Sequence, residues 1–138
     1  MSDVIPDTNV FVYFITYEKA LNNKDQIRLV KRAKRKFKDV VRENNIILNS
    51  VTLVELANIL NYKLGLTESR KLLEKIIFNE KIRVETLRVD EPIEALTISG
   101  EKNLKYTDCL IYLIAKRLGA KIFSYDIDFE KFPDVKMV

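Results

Sequence analysis

The chain has 138 residues, of which 47% are hydrophobic and 32% charged, and its net charge of +4 favours an anionic partner such as nucleic acid. Histidine is absent and Cys109 is the only cysteine, which excludes an internal disulfide and Ser-His-Asp or Cys-His catalysis. A zinc site is also disfavoured.

These properties predict one folded domain over residues 1–138 with a hydrophobic core. A lone cysteine in an apolar run is typical of a reducing, cytoplasmic setting. The start of the chain does not resemble a secretory leader, and no apolar run reaches the ~20 residues that span a bilayer. We therefore expect no membrane segment.

In the first half of the chain, short apolar runs alternate with longer amphipathic stretches. In chain order they predict a strand over Asp3–Pro6, helices over residues 10–14 and 28–42, a strand over residues 46–48, a helix over residues 51–64 that Gly65 stops, and a helix opening after Thr67. For the helix over residues 28–42, the expected apolar stripe consists of Leu29, Ala33, Phe37 and Val40 or Val41.

The second half continues the alternation. In chain order it predicts a strand over residues 83–87, a helix capped by Asp90 that ends near Gly100, a buried helix over residues 107–118, a strand over residues 121–124 and a weaker strand over residues 135–137. This order favours an α/β fold with a mostly parallel sheet.

Acidic side chains lie where such a sheet places its active site, at the carboxyl ends of the strands. Asp7 follows the first strand, Glu55 lies in the helix after the second, and Asp126 follows the fourth. Asp108 opens the helix that leads into the fourth strand. Each acid also has an ordinary interpretation: Asp7 and Asp108 could cap helices, Glu55 could be a surface residue and Asp126 a turn residue.

Taken together, these four carboxylates would repel one another without a cation. A divalent metal would relieve that repulsion and activate water for phosphodiester hydrolysis, a route that needs no histidine. Oxygen ligands favour hard ions, so we expect one or two Mg²⁺ or Mn²⁺ ions.

Four segments, in order along nearly the whole chain, carry a family resemblance. They are Pro6-Asp7-Thr8-Asn9-Val10, Ser50-Val51-Thr52-Leu53-Val54-Glu55-Leu56, Thr107-Asp108-Cys109-Leu110-Ile111 and Phe123-Ser124-Tyr125-Asp126-Ile127-Asp128-Phe129. The chain resembles the PIN-domain nucleases, and its size and layout are similar to those of the VapC toxins of toxin–antitoxin pairs. It departs from the family pattern at Pro6, where an aliphatic residue is usual, and at Cys109, where alanine is commoner.

The resemblance implies a three-layer α/β/α sandwich with a central sheet of four or five strands and a metal-dependent endoribonuclease activity. It implies that Asp7, Glu55, Asp108 and Asp126 are catalytic and bind the metal. Asp128 is a candidate extra or substitute ligand, and Thr8, Asn9 and Ser124 would support the site. The implied partners are RNA, a second copy of the chain and a small antitoxin that covers the active site.

The helix over residues 28–42 is strongly basic outside its apolar stripe. Its candidate RNA-phosphate contacts are Lys31, Arg32, Lys34, Arg35 and Lys38; the alternative is a solvated charged face. Tyr13, Tyr62 and Tyr106 could stack on unpaired bases or could pack in the core.

Other functions stay open. The basic helix would equally suit a PIN-fold RNA-processing nuclease outside a toxin–antitoxin pair. An inactive PIN-fold binding module is a third hypothesis. A receiver-like domain would pair one aspartate with Lys105 or Lys121, which fits four spread acids poorly. A phosphatase with an aspartate nucleophile would need a second acid where Asn9 stands.

Overall fold

The computed structural model describes residues 2–15 and 21–138 and contains a four-stranded sheet in which every pairing is parallel. The strands lie in the order β3-β2-β1-β4. They are β1 (Asp3–Pro6), β2 (Asn45–Asn49), β3 (Ile82–Glu85) and β4 (Lys121–Phe123). Because all four strands run the same way, their carboxyl ends share one edge of the sheet.

The helices alternate with the strands as the sequence predicts. They are α1 (Thr8–Ile15), α2 (Lys24–Glu43), α3 (Ser50–Ile77), α4 (Glu91–Lys102) and α5 (Tyr106–Leu118), followed by a 3-10 helix over Ile127–Lys131. In the described part of the chain, no helix is both long enough and apolar enough to cross a membrane.

Alternating strand residues separate two apolar clusters. On one face, Val4, Ile46 and Phe123 pack with residues of α1, α2 and α3. On the other face, Ile5 and Ile122 pack with α5 and with part of α4. Side chains that alternate along a strand point to opposite faces, so the sheet lies between two helical layers and the predicted three-layer sandwich is confirmed.

The apolar stripe of α2 differs from the prediction at one position. Ala33, Phe37 and Val40 are buried as expected, but Leu29 is 52% exposed and Val30 is buried in its place. Residues 30, 33, 37 and 40 follow the three- and four-residue spacing of one helix face. The prediction for Leu29 was therefore wrong, because Val30 continues that spacing towards the start of the helix.

Gly65 interrupts α3 without separating its two halves. Its backbone angles, φ 79° and ψ 173°, are not helical, and the second of the two predicted helices continues directly from it. Across the break, Ser69 Oγ lies 2.5 Å from Asn61 Oδ1 and 3.1 Å from Leu66 O. The glycine therefore bends the segment, and the buried serine holds the two halves together.

Two further local predictions need correction. Asp90 occupies the cap position of α4, but its side chain makes no capping hydrogen bond. Glu91 instead accepts a hydrogen bond from the Arg88 backbone N–H at 2.7 Å. The weak strand expected over residues 135–137 is reduced to a single parallel bridge between Met137 and Ile122.

Candidate functional site at the carboxyl edge of the sheet

Asp7 lies directly after β1 and is 8% exposed. Its backbone N–H donates to Phe123 O at 2.8 Å, which joins it to the end of β4. Its Oδ1 accepts from the Thr8 backbone N–H at 2.8 Å, and its Oδ2 accepts from Ser124 Oγ at 3.0 Å. One oxygen thus contacts the first residue of α1, without the bond to the second or third helical N–H that a capping side chain makes, while the other is linked to the far end of the chain.

Glu55 comes to the same edge from the second turn of α3. Thr8 Oγ1 donates a hydrogen bond to Glu55 Oε1 at 3.1 Å. This contact joins the first turn of α1 to α3 beside Asp7. Glu55 is therefore held in the site, and the interpretation of an ordinary surface residue does not hold for it.

Ser124 and Asn9 link the end of β4 to α1. Asn9 Nδ2 lies 3.5 Å from Ser124 Oγ, and the Tyr125 backbone N–H lies 3.5 Å from Asn9 Oδ1. Ser124 Oγ also accepts from the Asp126 backbone N–H at 3.0 Å. Two of the three residues expected to support the site, Asn9 and Ser124, therefore lie between Asp7 and Asp126.

Asp126 and Asp128 occupy the turn into the 3-10 helix. Asp126 Oδ1 accepts from the Asp128 backbone N–H at 2.9 Å, so the turn interpretation holds for this oxygen. Asp128 Oδ1 pairs with Lys131 Nζ at 3.0 Å. Because Asp128 has its own cation, it is a weaker candidate ligand than Asp126.

Asp108 lies in the first turn of α5 and is 6% exposed. Its Oδ2 is buried without a hydrogen-bond partner among the described residues. A buried acceptor without a partner costs free energy. A cation at this position would remove that cost, and the capping interpretation does not account for this oxygen.

Electrostatics connect the four acids. Burial raises the pKa of Asp7, and Asp126 raises it further. Burial also raises the pKa of Glu55, and the charge of Asp7 raises that pKa further. Burial together with the charges of Asp7, Asp126 and Glu55 raises the pKa of Asp108 to about 6. Charges act on one another in this way only when they are close, so the fold brings the predicted acids to one place.

The acids do not form a ready-made cage. Within residues 2–15 and 21–138, no three Asp, Glu or Cys side chains are arranged to hold a metal ion by themselves. Magnesium commonly binds through one or two carboxylates and keeps several waters or substrate oxygens. The four acids fit such an ion, since every candidate ligand is a carboxylate and Asp108 Oδ2 has no hydrogen-bond partner among the described residues.

The sequence model of the PIN domain matches residues 4–135. The chain belongs to the PIN domain family. No curated protein matches the chain.

Solved PIN-like structures share the fold across nearly the whole chain. The sarcin-ricin-loop-cleaving toxin VapC20 of Mycobacterium tuberculosis is 18% identical with a TM-score of 0.69, covering 97% of this chain and 98% of that chain. VapBC2 of Rickettsia felis, bound to a promoter DNA fragment, is 18% identical with a TM-score of 0.70, covering 99% and 97%. A toxin–antitoxin complex from Klebsiella pneumoniae is 16% identical with a TM-score of 0.66, covering 96% and 94%.

Lys105 lies at the rim of this PIN site, although none of the four sequence motifs includes it. It stands at the cap position of α5, and its charge lowers the pKa of Asp7, Glu55 and Asp108 against the effects that raise them. From the sequence, Lys105 is related only to the alternative of a receiver-like domain. Its position three residues before Asp108, at a helix start, was the available signal.

The predicted RNA-contact residues of α2 are mostly open to solvent. Lys31, Arg32, Arg35 and Lys38 are exposed and Lys34 is half-buried. Lys38 lines an apolar cavity of about 600 Å³ that also includes Phe11 and Ile82 and none of the four acids. Another cation of α2, Lys36, lies near the end of β4, with its Nζ 5.4 Å from the centre of the Phe123 ring.

Proposed function

We propose that this PIN domain is a divalent-metal-dependent endoribonuclease, with Asp7, Glu55, Asp108 and Asp126 as its catalytic ligands for Mg²⁺ or Mn²⁺. The observation that carries the proposal is the electrostatic coupling of the four acids around Asp108, whose Oδ2 is buried without a partner. Family membership supports a nuclease, and the net charge of +4 supports an anionic substrate.

The chain's own residues prepare the site for in-line hydrolysis of a phosphodiester. Thr8 and Ser124 hold Glu55 and Asp7 in place by hydrogen bonds of 3.1 and 3.0 Å. Lys105 supplies a positive charge at the rim, where it can offset the negative charge of the substrate phosphate. A bound divalent ion supplies Lewis acidity, which lowers the pKa of water and offsets charge on the phosphate.

We propose further that the protein is the toxin of a toxin–antitoxin pair. VapC20 is a sarcin-ricin-loop-cleaving toxin, and the Klebsiella structure is a toxin–antitoxin complex. The partner would be a small protein that covers the acidic edge. The product of the neighbouring reading frame should bind this chain and abolish its RNA cleavage; if it does neither, the toxin assignment is wrong.

One domain over residues 1–138 and a homodimer complete the proposal. The family match from residue 4 to residue 135 supports the first. The homodimer is supported by two apolar side chains that lie one helical turn apart on α4. Ile93 is 72% exposed and Leu96 is 67% exposed. Light scattering should give a mass twice the 16.1 kDa of the chain; a mass of one chain would exclude the dimer.

The decisive experiment is cleavage of a labelled single-stranded RNA by wild type and Asp7→Asn, with Mn²⁺, Mg²⁺ or EDTA. Asn keeps the size and polarity of Asp7, so loss of cleavage would report the lost charge and not a collapsed site. Asp39→Asn, an exposed acid on α2, is the matched control and should cleave normally. Cleavage should require metal and should disappear in Asp7→Asn alone.

The alternatives give different results. Equal cleavage by Asp7→Asn, or cleavage that survives EDTA, would show that this site is not responsible. A binding module without activity would cleave nothing and would gain no thermal stability from Mn²⁺, whereas a metal site stabilises the folded state by mass action. Metal-dependent cleavage without an inhibitory neighbour would favour an RNA-processing nuclease.

A further inference from the structure

Tyr125 places an exposed aromatic ring at the acidic edge. It stands between Ser124 and Asp126, and 37% of the residue is exposed. Its ring contacts Tyr13 edge-to-face, with centroids 5.3 Å apart, and lies 5.6 Å from the ring of Phe123. Its hydroxyl lies 3.5 Å from the carbonyl oxygen of Ala33 in α2. Neighbours on three elements therefore hold the ring in position before any substrate arrives.

A cation accompanies this ring. Lys36 lies three residues after Ala33 and hence on the same face of α2. Its Nζ lies 5.4 Å from the centroid of Phe123, which in turn contacts Tyr125. Among residues 2–15 and 21–138, no acidic side chain forms an ion pair with Lys36. Within that part of the chain no carboxylate competes for its charge, which is available to a phosphate near the end of β4.

We propose that Tyr125, supported by Tyr13, is the binding site for one unpaired nucleobase next to the scissile phosphate, and that Lys36 contacts the phosphate beyond that base. This inference rests on the proposed ribonuclease function and names the feature of RNA that the site recognises. Aromatic side chains stack on bases that are splayed out of a helix. A paired base is stacked inside its duplex and offers no free face.

The chemistry of stacking determines what kind of selectivity follows. Every base has a π-face, so stacking tolerates any base and discriminates against a missing or paired one. The lysine contact positions the backbone and carries no sequence information. The site therefore selects for an unpaired nucleotide at one position relative to the cleaved bond, whatever its base.

The other candidate tyrosines lack these features. Tyr62 is 92% exposed on α3, and no aromatic contact involves it among the described residues. Tyr106 donates its hydroxyl hydrogen to the Pro92 carbonyl oxygen at 3.0 Å, which directs it towards α4. Tyr62→Ala is therefore a matched control, since it removes an exposed tyrosine that has no part in the proposed subsite.

An abasic scan tests the proposal. A single-stranded oligoribonucleotide that wild type cleaves at one bond is synthesised with one abasic nucleotide at each position in turn. For wild type, one position beside the cleaved bond should raise KM roughly tenfold, with little change in kcat. Tyr125→Ala should raise KM to a similar degree on the intact oligonucleotide and should show no further loss at that abasic position.

Two more variants separate the ring from the cation. Tyr125→Phe keeps the ring but loses the hydroxyl contact with Ala33 O, so its abasic penalty should remain. Tyr62→Ala should behave like wild type in the scan. Lys36→Gln should weaken all the oligonucleotides equally and reduce the slope of log KM against log salt by about one. Its abasic penalty should remain.

Each contrary result has a definite meaning. A wild-type scan with no position-specific penalty overturns the base site without requiring any variant, as does an equal penalty in Tyr125→Ala. Cleavage of the same sequence in a duplex at an undiminished rate also overturns it. If wild type cleaves no RNA with any metal, the proposed ribonuclease function fails, and the inference fails with it.

Discussion

Ser124 donates a hydrogen bond from its Oγ to Asp7 Oδ2 at 3.0 Å, although 117 positions separate the two residues in the chain. The same oxygen accepts from the Asp126 backbone N–H at 3.0 Å. One hydroxyl thus ties the acid after β1 to the acid after β4. Because metal ligands depend on such neighbours for their orientation, Ser124 is expected to control metal affinity without touching the metal.

Replacing Ser124 tests this role. Ser124→Ala should lower the affinity for Mn²⁺ by about 10–100-fold, measured by calorimetry and by the metal dependence of RNA cleavage. Ser124→Thr keeps the hydroxyl and should restore most of the affinity. Equal metal affinity in Ser124→Ala and wild type would show that the bond is incidental.

Thr8 has the corresponding role for Glu55. Its hydroxyl donates to Glu55 Oε1 at 3.1 Å and thereby lowers the pKa of that carboxyl against the effect of burial. Thr8→Val has nearly the same shape but no donor, so the pKa of Glu55 should rise. Cleavage by Thr8→Val should then need more metal and a higher pH. Thr8→Ser keeps the hydroxyl and should match wild type. Unchanged pH and metal profiles of cleavage in Thr8→Val would contradict this role of Thr8.

Asp108 should make stability depend on pH in the metal-free protein. Its pKa is raised from 3.8 to about 6, so the folded state holds this proton more tightly than the unfolded chain. Its charge should therefore lower the free energy of unfolding as the pH rises from about 4 through about 6. After a discount for solvent screening, the cost at pH 7.5 is about 1–2 kcal/mol.

Asp108→Asn removes that cost. In EDTA the variant should melt a few degrees above wild type at pH 7.5, and the difference should disappear near pH 4. With Mn²⁺ the order should reverse, because wild type, with all four carboxylates, gains more stability from the ion than the variant does. Differential scanning calorimetry measures both comparisons, and a difference in Tm that is the same at pH 4 and pH 7.5 would refute the assignment.

Glu91 and Arg117 form a buried ion pair between α4 and α5. Arg117 Nη2 lies 2.9 Å from Glu91 Oε1, and the side chains are only 16% and 5% exposed. Arg117→Met leaves the carboxylate buried without its cation, which should cost about 3–5 kcal/mol in denaturant unfolding. Glu91→Gln combined with Arg117→Met should recover part of the loss; a loss below 1 kcal/mol in the single variant would mean that the pair is effectively solvated.

Gly65 and Gly100 both lie within helical segments but differ in backbone conformation, which allows a matched comparison. Gly65 has φ 79° and ψ 173°, a conformation essentially restricted to glycine, so Gly65→Ala should cost about 1–3 kcal/mol. Gly100 lies within α4, and a Cβ added there would meet no atom within 4 Å, so Gly100→Ala should stabilise by about 0.5–1 kcal/mol. Denaturant unfolding measures both, and effects of the same sign would contradict the comparison.

The elements of the fold were predictable because they depend on neighbours in the chain. The apolar runs predict β1, β2 and β4, and the apolar centre of α5 predicts a buried helix. Boundaries were less secure: β3 spans Ile82–Glu85, whereas residues 83–87 were expected. Both Leu29 and Val30 fit a helical pattern locally, and only packing against the other elements decides which one is buried.

The sequence by itself predicted that Asp7, Glu55 and Asp126 come together, because the carboxyl ends of parallel strands must share one edge of the sheet. Only the tertiary structure decided that Ser124 bonds to Asp7, that the charge of Lys105 acts on the acids, and that Lys36 and Tyr125 lie against the Phe123 ring. These contacts join segments far apart in the chain. Their geometry follows from how α1, α2 and α5 pack on the sheet, and no local pattern of residues contains that information.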